Sequence, residues 1–164
     1  MAHFNTAPAD TVRRLLLACL GSLGWAESVA AHRPYPDTGA LLAAADEAAY
    51  DLTPADLAQA LAAESLPALP AGTYSAAHTA LSAAHAAYEA KFGHVFVIYL
   101  GDTPVGEIPD RVLEGIGSRL ANDPEEERIV AAEHLRRLAR KRLLDALRGA
   151  GNRAGDHGDP APGT

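Results

Sequence analysis

Apolar residues recur at helical spacing over most of this chain. Val12, Leu15, Leu16, Cys19 and Leu20 stand three or four apart and predict a helix over about 11–22, capped by Asp10 or Thr11. Trp25 to His32 continues helically until Arg33-Pro34, where proline restricts the residue before it and ends the run. Asp37 or Thr38 opens a helix carrying Leu41, Leu42, Ala45 and Tyr50. Thr53-Pro54 reads as a cap followed by proline at the first helical position, for a helix bearing Leu57, Leu61 and Glu64. Pro67, Pro70 and Gly72 make 65–74 an irregular loop. Ser75 starts a helix, as its N-cap, that runs to Phe92 and stops at Gly93, where a left-handed C-cap is common. Val95 to Leu100 is an unbroken apolar run, either a buried extended segment or a helix start, and periodicity does not separate the two. Past a turn-rich stretch, helices follow at about 110–121 and 124–148, the second with glutamates in its first turn as the macrodipole favours. The pattern predicts an all-α, single-domain bundle of about seven to eight helices over 1–148. Residues 149–164 form a tail whose composition predicts disorder.

Composition supports helices over a sheet, since alanine and leucine dominate and strand-favouring residues are scarce outside 95–100. At 164 residues the chain can bury one core without metal or disulfide. The net charge of -7 repels polyanions. Arg136, Arg137, Arg140, Lys141 and Arg142 form a basic run, but no aromatic stacking residues accompany it, so no nucleic-acid partner is expected. The single cysteine, Cys19, excludes an internal disulfide and sits in an apolar helical pattern as a buried, inert thiol. Arg13-Arg14 before Leu15 to Leu20 imitates an export signal poorly, because Asp10 precedes it and glycines and Trp25 interrupt it. No run reaches membrane-spanning length, so the expectation is a soluble cytoplasmic protein without a membrane partner.

Three groups of residues carry a family likeness. The first is Tyr88-Glu89-Ala90-Lys91-Phe92-Gly93-His94-Val95-Phe96; the second is Arg119-Leu120-Ala121-Asn122; the third is Arg140-Lys141-Arg142-Leu143. Together with Phe4-Asn5, Cys19 to Ser22, Trp25-Ala26 and Arg33-Pro34-Tyr35, they resemble the 2-oxo-4-hydroxy-4-carboxy-5-ureidoimidazoline (OHCU) decarboxylases over about 4–147. These are small all-helical enzymes of uric acid breakdown. The resemblance implies a cofactor-free lyase that converts OHCU to (S)-allantoin and carbon dioxide, with a small-molecule substrate and, as in many members, a homodimer. It also implies a site built from a His-Pro pair, a Ser-x-x-Glu-Gln stretch and a late arginine. Here the His-Pro position falls on Glu64-Ser65, with Pro67 close behind. The Ser-x-x-Glu-Gln position reads Ser75-Ala76-Ala77-His78-Thr79, so histidine and glutamate have traded places. The late arginine corresponds to Arg142, or to Arg140 if the alignment slips.

The reaction leaves an electron pair on a ring carbon, so the protein must hold a carboxylate in a dry pocket and deliver a proton to one face. Histidine suits the proton step, a carboxylate on its other ring nitrogen would fix the tautomer, and arginine anchors a planar anion bidentately. His78 as proton donor, Glu64 as its orienting partner and Arg142 as anchor supply those groups, with Ser75 and Pro67 at the substrate. Phe96 and Val97 would offer backbone amides to a ureido group, as the family's segment does. His85 is a rival to His78; with Ser82 and Glu89 they fall at spacings that share one helix face. That face is an active-site wall, an exposed polar stripe or, less naturally at a seven-residue histidine spacing, a metal site. A diverged lyase acting on another heterocyclic or carboxylated substrate, and a non-catalytic binding module, are the alternatives. Glu64, His78 and Arg142 meeting in one pocket would mark an enzyme; the three apart in solvent would mark the module.

Overall fold

Among the described residues eight α-helices occur: α1 (Ala2–Thr6), α2 (Ala9–Cys19), α3 (Leu23–Ala31), α4 (Thr38–Tyr50), α5 (Pro54–Ala62), α6 (Ser75–Phe92), α7 (Ile108–Arg119) and α8 (Pro124–Gly155). The computed structural model describes residues 1–155, and no strand occurs among them. None of the described helices is long and apolar enough to cross a membrane.

Local chemistry sets the helix ends, and in places it differs from the sequence reading. Pro8, not Asp10 or Thr11, precedes the first turn of α2, and Asp10 instead lies within that turn, where a negative charge meets the helix dipole. Ser22 caps α3 by accepting from the Trp25 N–H at 3.2 Å, so the helix begins before Trp25. Thr53 and Asp56 close a reciprocal capping box on α5. Ser75 is the first residue inside α6 and not its cap; Tyr74 holds that position without a side-chain bond. Gly93 ends α6 at φ +79°, the left-handed geometry the sequence predicts. Helix α8 runs on to Gly155 instead of stopping at 148, so the first part of the expected tail is helical. The rest of that tail, 156–164, lies outside the described residues.

Two hydrophobic clusters fill the interior. The larger joins α1 to α5 with α8 around Leu16, Trp25, Leu41, Leu61, Leu135 and Leu143. The smaller joins α6 and α7 through Leu81, Tyr88, Val112 and Ile116. Residues 95–100 run between them without helix, which settles the ambiguity of the apolar run. Val95 and Val97 pack into the larger cluster, whereas Phe96, Ile98 and Leu100 pack into the smaller. That alternation is the period of an extended chain with both faces buried. Gly115 on α7 permits the contact, because a Cβ there would stand 3.1 Å from Ile98 Cδ1 and 3.2 Å from Phe96 Cζ.

A buried polar network fixes this segment. Arg119 donates from Nε to Glu127 Oε1 at 2.7 Å and from Nη1 to the Val97 carbonyl at 2.6 Å. The Tyr88 hydroxyl donates to the same Glu127 oxygen, and Asn122 donates to Oε2 at 2.9 Å. Glu127 and Tyr88 are wholly buried, and Arg119 lies over the Phe96 ring, 4.4 Å from its centroid. Burial alone would raise the Glu127 pKa, but the bonds from Arg119, Tyr88 and Asn122 outweigh it and hold the carboxyl below its ordinary value. Farther along, the Tyr99 N–H donates to His134 Nδ1 at 3.0 Å, so that imidazole is the neutral, Nε2-protonated form. Burial first, then the charges of Arg119 and Arg137, push its pKa down to about 4.

Breaking one side of the buried pair should be severe. Glu127→Ala is expected to cost about 3–5 kcal/mol in denaturant unfolding, because it strands the Arg119 charge, whereas a double replacement of Arg119 and Glu127 by methionine should cost less. The pH dependence has a definite sign. The stability contributed by Glu127 is complete above the unfolded carboxylate pKa of about 4.3 and is lost as pH falls through the lower folded value. His134 acts in the same direction over a higher window: between about 6.5 and about 4 the unfolded chain binds more protons, so acidification weakens the fold. NMR titration should show the His134 ring protonating near pH 4 and not near 6.5.

Candidate functional site

The end of α5 and the middle of α8 meet across a cleft, and the local sequence explains how. Helix α5 stops at Ala62, with Ala63 as its C-cap, and the Glu64 N–H still donates to the Leu61 carbonyl at 3.2 Å, so Glu64 leaves the helix in a defined direction. The α2–α3 link crosses this end at Gly21, where a Cβ would lie 2.4 Å from the Ala63 Cβ; only glycine allows that approach. Opposite, Arg142 and Leu138 stand one turn apart on α8 and face the same space.

Glu64 and Arg142 form a bidentate ion pair, Nη1 to Oε1 at 2.7 Å and Nη2 to Oε2 at 3.0 Å. Nη1 also donates to the Cys19 carbonyl at 3.1 Å. The Glu64 side chain is only 8% exposed, while that of Arg142 is 36% exposed and so reachable by a ligand. The Glu64 bond raises the Arg142 pKa further, leaving a permanent cation. Beside the pair lies a cleft of about 500 Å³ with apolar walls from Leu17, Phe96, Val97, Ile98 and Leu138 and a rim at Ser65 to Ala68 that includes Pro67. That volume suits a small heterocycle.

The other expected site residues fall elsewhere. His78 is exposed on α6 and lines a second groove of about 310 Å³ with Ser82, His85 and Glu89, so the four do share one face. Leu66 and Pro67 border both spaces and stand between them. The expected Glu64–His78 dyad is therefore not formed: both Glu64 oxygens are taken by Arg142. His85 is buried, with its ring centroid 6.0 Å from that of Phe96, and among the described residues its Nδ1 has no partner. Burial pushes its pKa down. Arg140 is not on the cleft; it turns to α4 and pairs with Asp46 at 2.6 Å, alongside Arg136. Ser75 is exposed in the first turn of α6 and does not line the cleft. Cys19 is buried, and burial raises its thiol to about 11 against the lowering effect of Arg142, consistent with an inert side chain.

The arrangement can thus present an oriented, charge-balanced guanidinium beside an apolar slot, with an imidazole-lined groove across the Leu66–Pro67 partition. The sequence reading counted Gly21 in the family likeness but gave neither it nor the Cys19 carbonyl a role at the site. The Gly21-Ser22 pair between two helical runs was the available signal for the first; a backbone carbonyl leaves none.

Comparison with known proteins agrees with this architecture. A family profile described as OHCU decarboxylase matches residues 5–71 and 68–144. A solved structure titled (S)-allantoin synthase superposes with a TM-score of 0.68 at 21% identity, covering 88% of this chain and 52% of that one. The chain therefore spans about half the length of that protein. A structure of OHCU decarboxylase in the presence of (S)-allantoin superposes with a TM-score of 0.68 at 19% identity, covering 79% of this chain and 94% of that one. No match is found among curated proteins. The two structural likenesses establish the fold; the profile, which spans most of the sequence, shows that this chain belongs to the OHCU decarboxylase family.

Proposed function

We propose that this chain is a cofactor-independent carboxy-lyase that converts OHCU to (S)-allantoin and carbon dioxide in the cleft beside Arg142. The observation that carries the reading is the placement of an arginine, oriented by Glu64, on a cleft of about 500 Å³ with largely apolar walls. Arg142 anchors the substrate through the planar edge of its guanidinium that Glu64 leaves open. Phe96 and Val97 form the opposing wall and bring their backbone amides to the ureido group, while Pro67 closes the rim.

The chemical step breaks the bond between the ring carbon and its carboxylate. Carbon dioxide leaves, the bonding pair stays on the ring carbon, and one proton quenches it. His78 is the proposed donor, delivering that proton once the Leu66–Pro67 partition moves aside, with buried His85 behind it on the same groove. The apolar side chains of Phe96, Val97 and Leu138 along one wall lower the local polarity and strengthen each polar contact made beside them.

One observation favours a second reading within the same class. Glu64 occupies the position that the family gives to histidine, and it spends both oxygens on Arg142. Such a site suits a diverged lyase for another small cyclic substrate.

OHCU generated from urate in situ should yield optically active allantoin, followed by circular dichroism, faster than the spontaneous reaction. His78→Ala is expected to lose roughly 10²–10⁴-fold, the usual worth of a general acid. Arg142→Lys, which keeps charge but not the planar fork, should raise KM. A wild-type rate equal to the uncatalysed one would overturn the first reading and leave the second.

A further inference from the structure

A second cavity, of about 480 Å³, opens where α7, α8 and the 95–100 strip meet. Ile98 and Leu100 border both this cavity and the Arg142 cleft, so the two spaces share a wall. Tyr99, Arg111, Glu114, Ser118 and His134 line the second cavity and not the cleft. The decarboxylation step uses none of them.

His134 is the fixed element of this cavity. Its Nδ1 lone pair is occupied by the Tyr99 N–H at 3.0 Å, so Nε2 carries the hydrogen. That Nε2–H has no partner among the described residues, and it is open to solvent at the cavity. A ring in this state offers a hydrogen and no lone pair, so it suits neither a metal ion nor an ammonium group. With its pKa pushed down to about 4 it remains an uncharged donor at neutral pH. Its partner must therefore be an acceptor.

Arg111 and Glu114 set the rest of the pattern. Arg111 is exposed and makes no ion pair among the described residues, and its planar fork matches a carboxylate. The other cation at the cavity, Arg119, is already matched by Glu127 at 2.5 Å. Glu114 is also exposed and unpaired among the described residues. It follows Arg111 by three positions on α7, which puts their Cβ atoms about 5–6 Å apart. A ligand anchored on Arg111 by its carboxylate can thus reach Glu114 with a donor group. An ammonium there would be repelled by Arg111, whereas the two parallel N–H groups of a ureido group bind a carboxylate without added charge.

We propose that this cavity is a second ligand site for a small ureido carboxylate, held by its carboxylate between Arg111 and the His134 Nε2–H and by its ureido N–H groups on Glu114. An anion accepting from Nε2–H polarises the ring and strengthens the hold of Nδ1 on the Tyr99 N–H. Occupancy of this cavity accordingly steadies the strip that walls the Arg142 cleft.

The test is an NMR titration of the whole wild-type chain with three probes. Hydantoate (ureidoacetate) should bind with a Kd on the order of 1 mM, shifting the His134 ring and the Tyr99 amide together and slowing exchange of that amide. Ureidoacetamide lacks the charge, and 4-methylpentanoate keeps charge and shape but has no N–H; each should bind at least about ten-fold more weakly. Arg111→Gln, at an exposed position, should remove the preference for hydantoate over its amide. Glu114→Leu should remove the preference over 4-methylpentanoate. Silence of His134 and Tyr99 at millimolar hydantoate overturns the inference, as does equal binding by all three probes or an unchanged affinity in Arg111→Gln. Shifts confined to Arg142 and the Val97 amide would place the probe in the cleft instead, and would overturn the second site while leaving the first untouched.

Discussion

The cleft depends on one buried charge pair that never touches it. Arg119 and Glu127 are enclosed where α6, α7 and α8 converge, and Arg119 also donates from Nη1 to the Val97 carbonyl and from Nη2 to the Tyr88 hydroxyl. Residues 95–100 have no ladder partner and no helix of their own, so their position is not fixed by regular secondary structure. The Arg119 bond supplies what is missing, together with the His134 contact to Tyr99 at the far end. These two side chains, one charged and one kept neutral, hold the backbone at Val97 and just beyond it, and so steady the wall that Phe96 and Val97 form.

This organisation explains why the family was legible in the sequence while the site was less so. Several of the residues that carry the resemblance make long-range hydrogen bonds. Tyr88, Arg119 and Asn122 meet Glu127; Lys91 reaches the carbonyls of Leu120 and Asn122; Asn5 exchanges two bonds with the Tyr35 backbone; Trp25 Nε1 donates to the Ala45 carbonyl at 2.9 Å. Each needs a particular donor or acceptor at a particular place, which leaves a trace in sequence. Helix positions were readable for a similar reason, since apolar spacing, Thr53-Pro54 and Gly93 act locally. The ends that differ, at Pro8, Ser22 and Ser75, are places where several residues could serve as a cap and packing decides among them.

The site was harder because its geometry is set by chain crossings. Arg142 and Arg140 are two residues apart and look alike in sequence, yet helical rotation sends one to Glu64 and the other to Asp46. No local pattern distinguishes them; the distinction appears only when α4 and α5 are seen on different sides of α8. Likewise, Glu64 and His78 are separated by a proline-rich loop whose course decides whether they meet. Placing Leu66 and Pro67 between them gives Glu64 to Arg142 instead.

The division of the interior into two clusters has a further consequence. Almost all apolar packing of α1 to α5 and α8 is independent of α6 and α7, and the smaller lobe is tied on through the 95–100 strip and the Arg119 node. Residues 65–74 and the exposed His78 on α6 belong to the edge of that smaller lobe, outside both anchoring devices. Changes there in length or in the order of acidic and imidazole groups alter no core contact of the larger lobe. The fold thus carries a replaceable cassette. A lineage can replace the exposed imidazole of His78, or shorten the connecting loop, and pay in catalytic geometry alone while the scaffold keeps its shape.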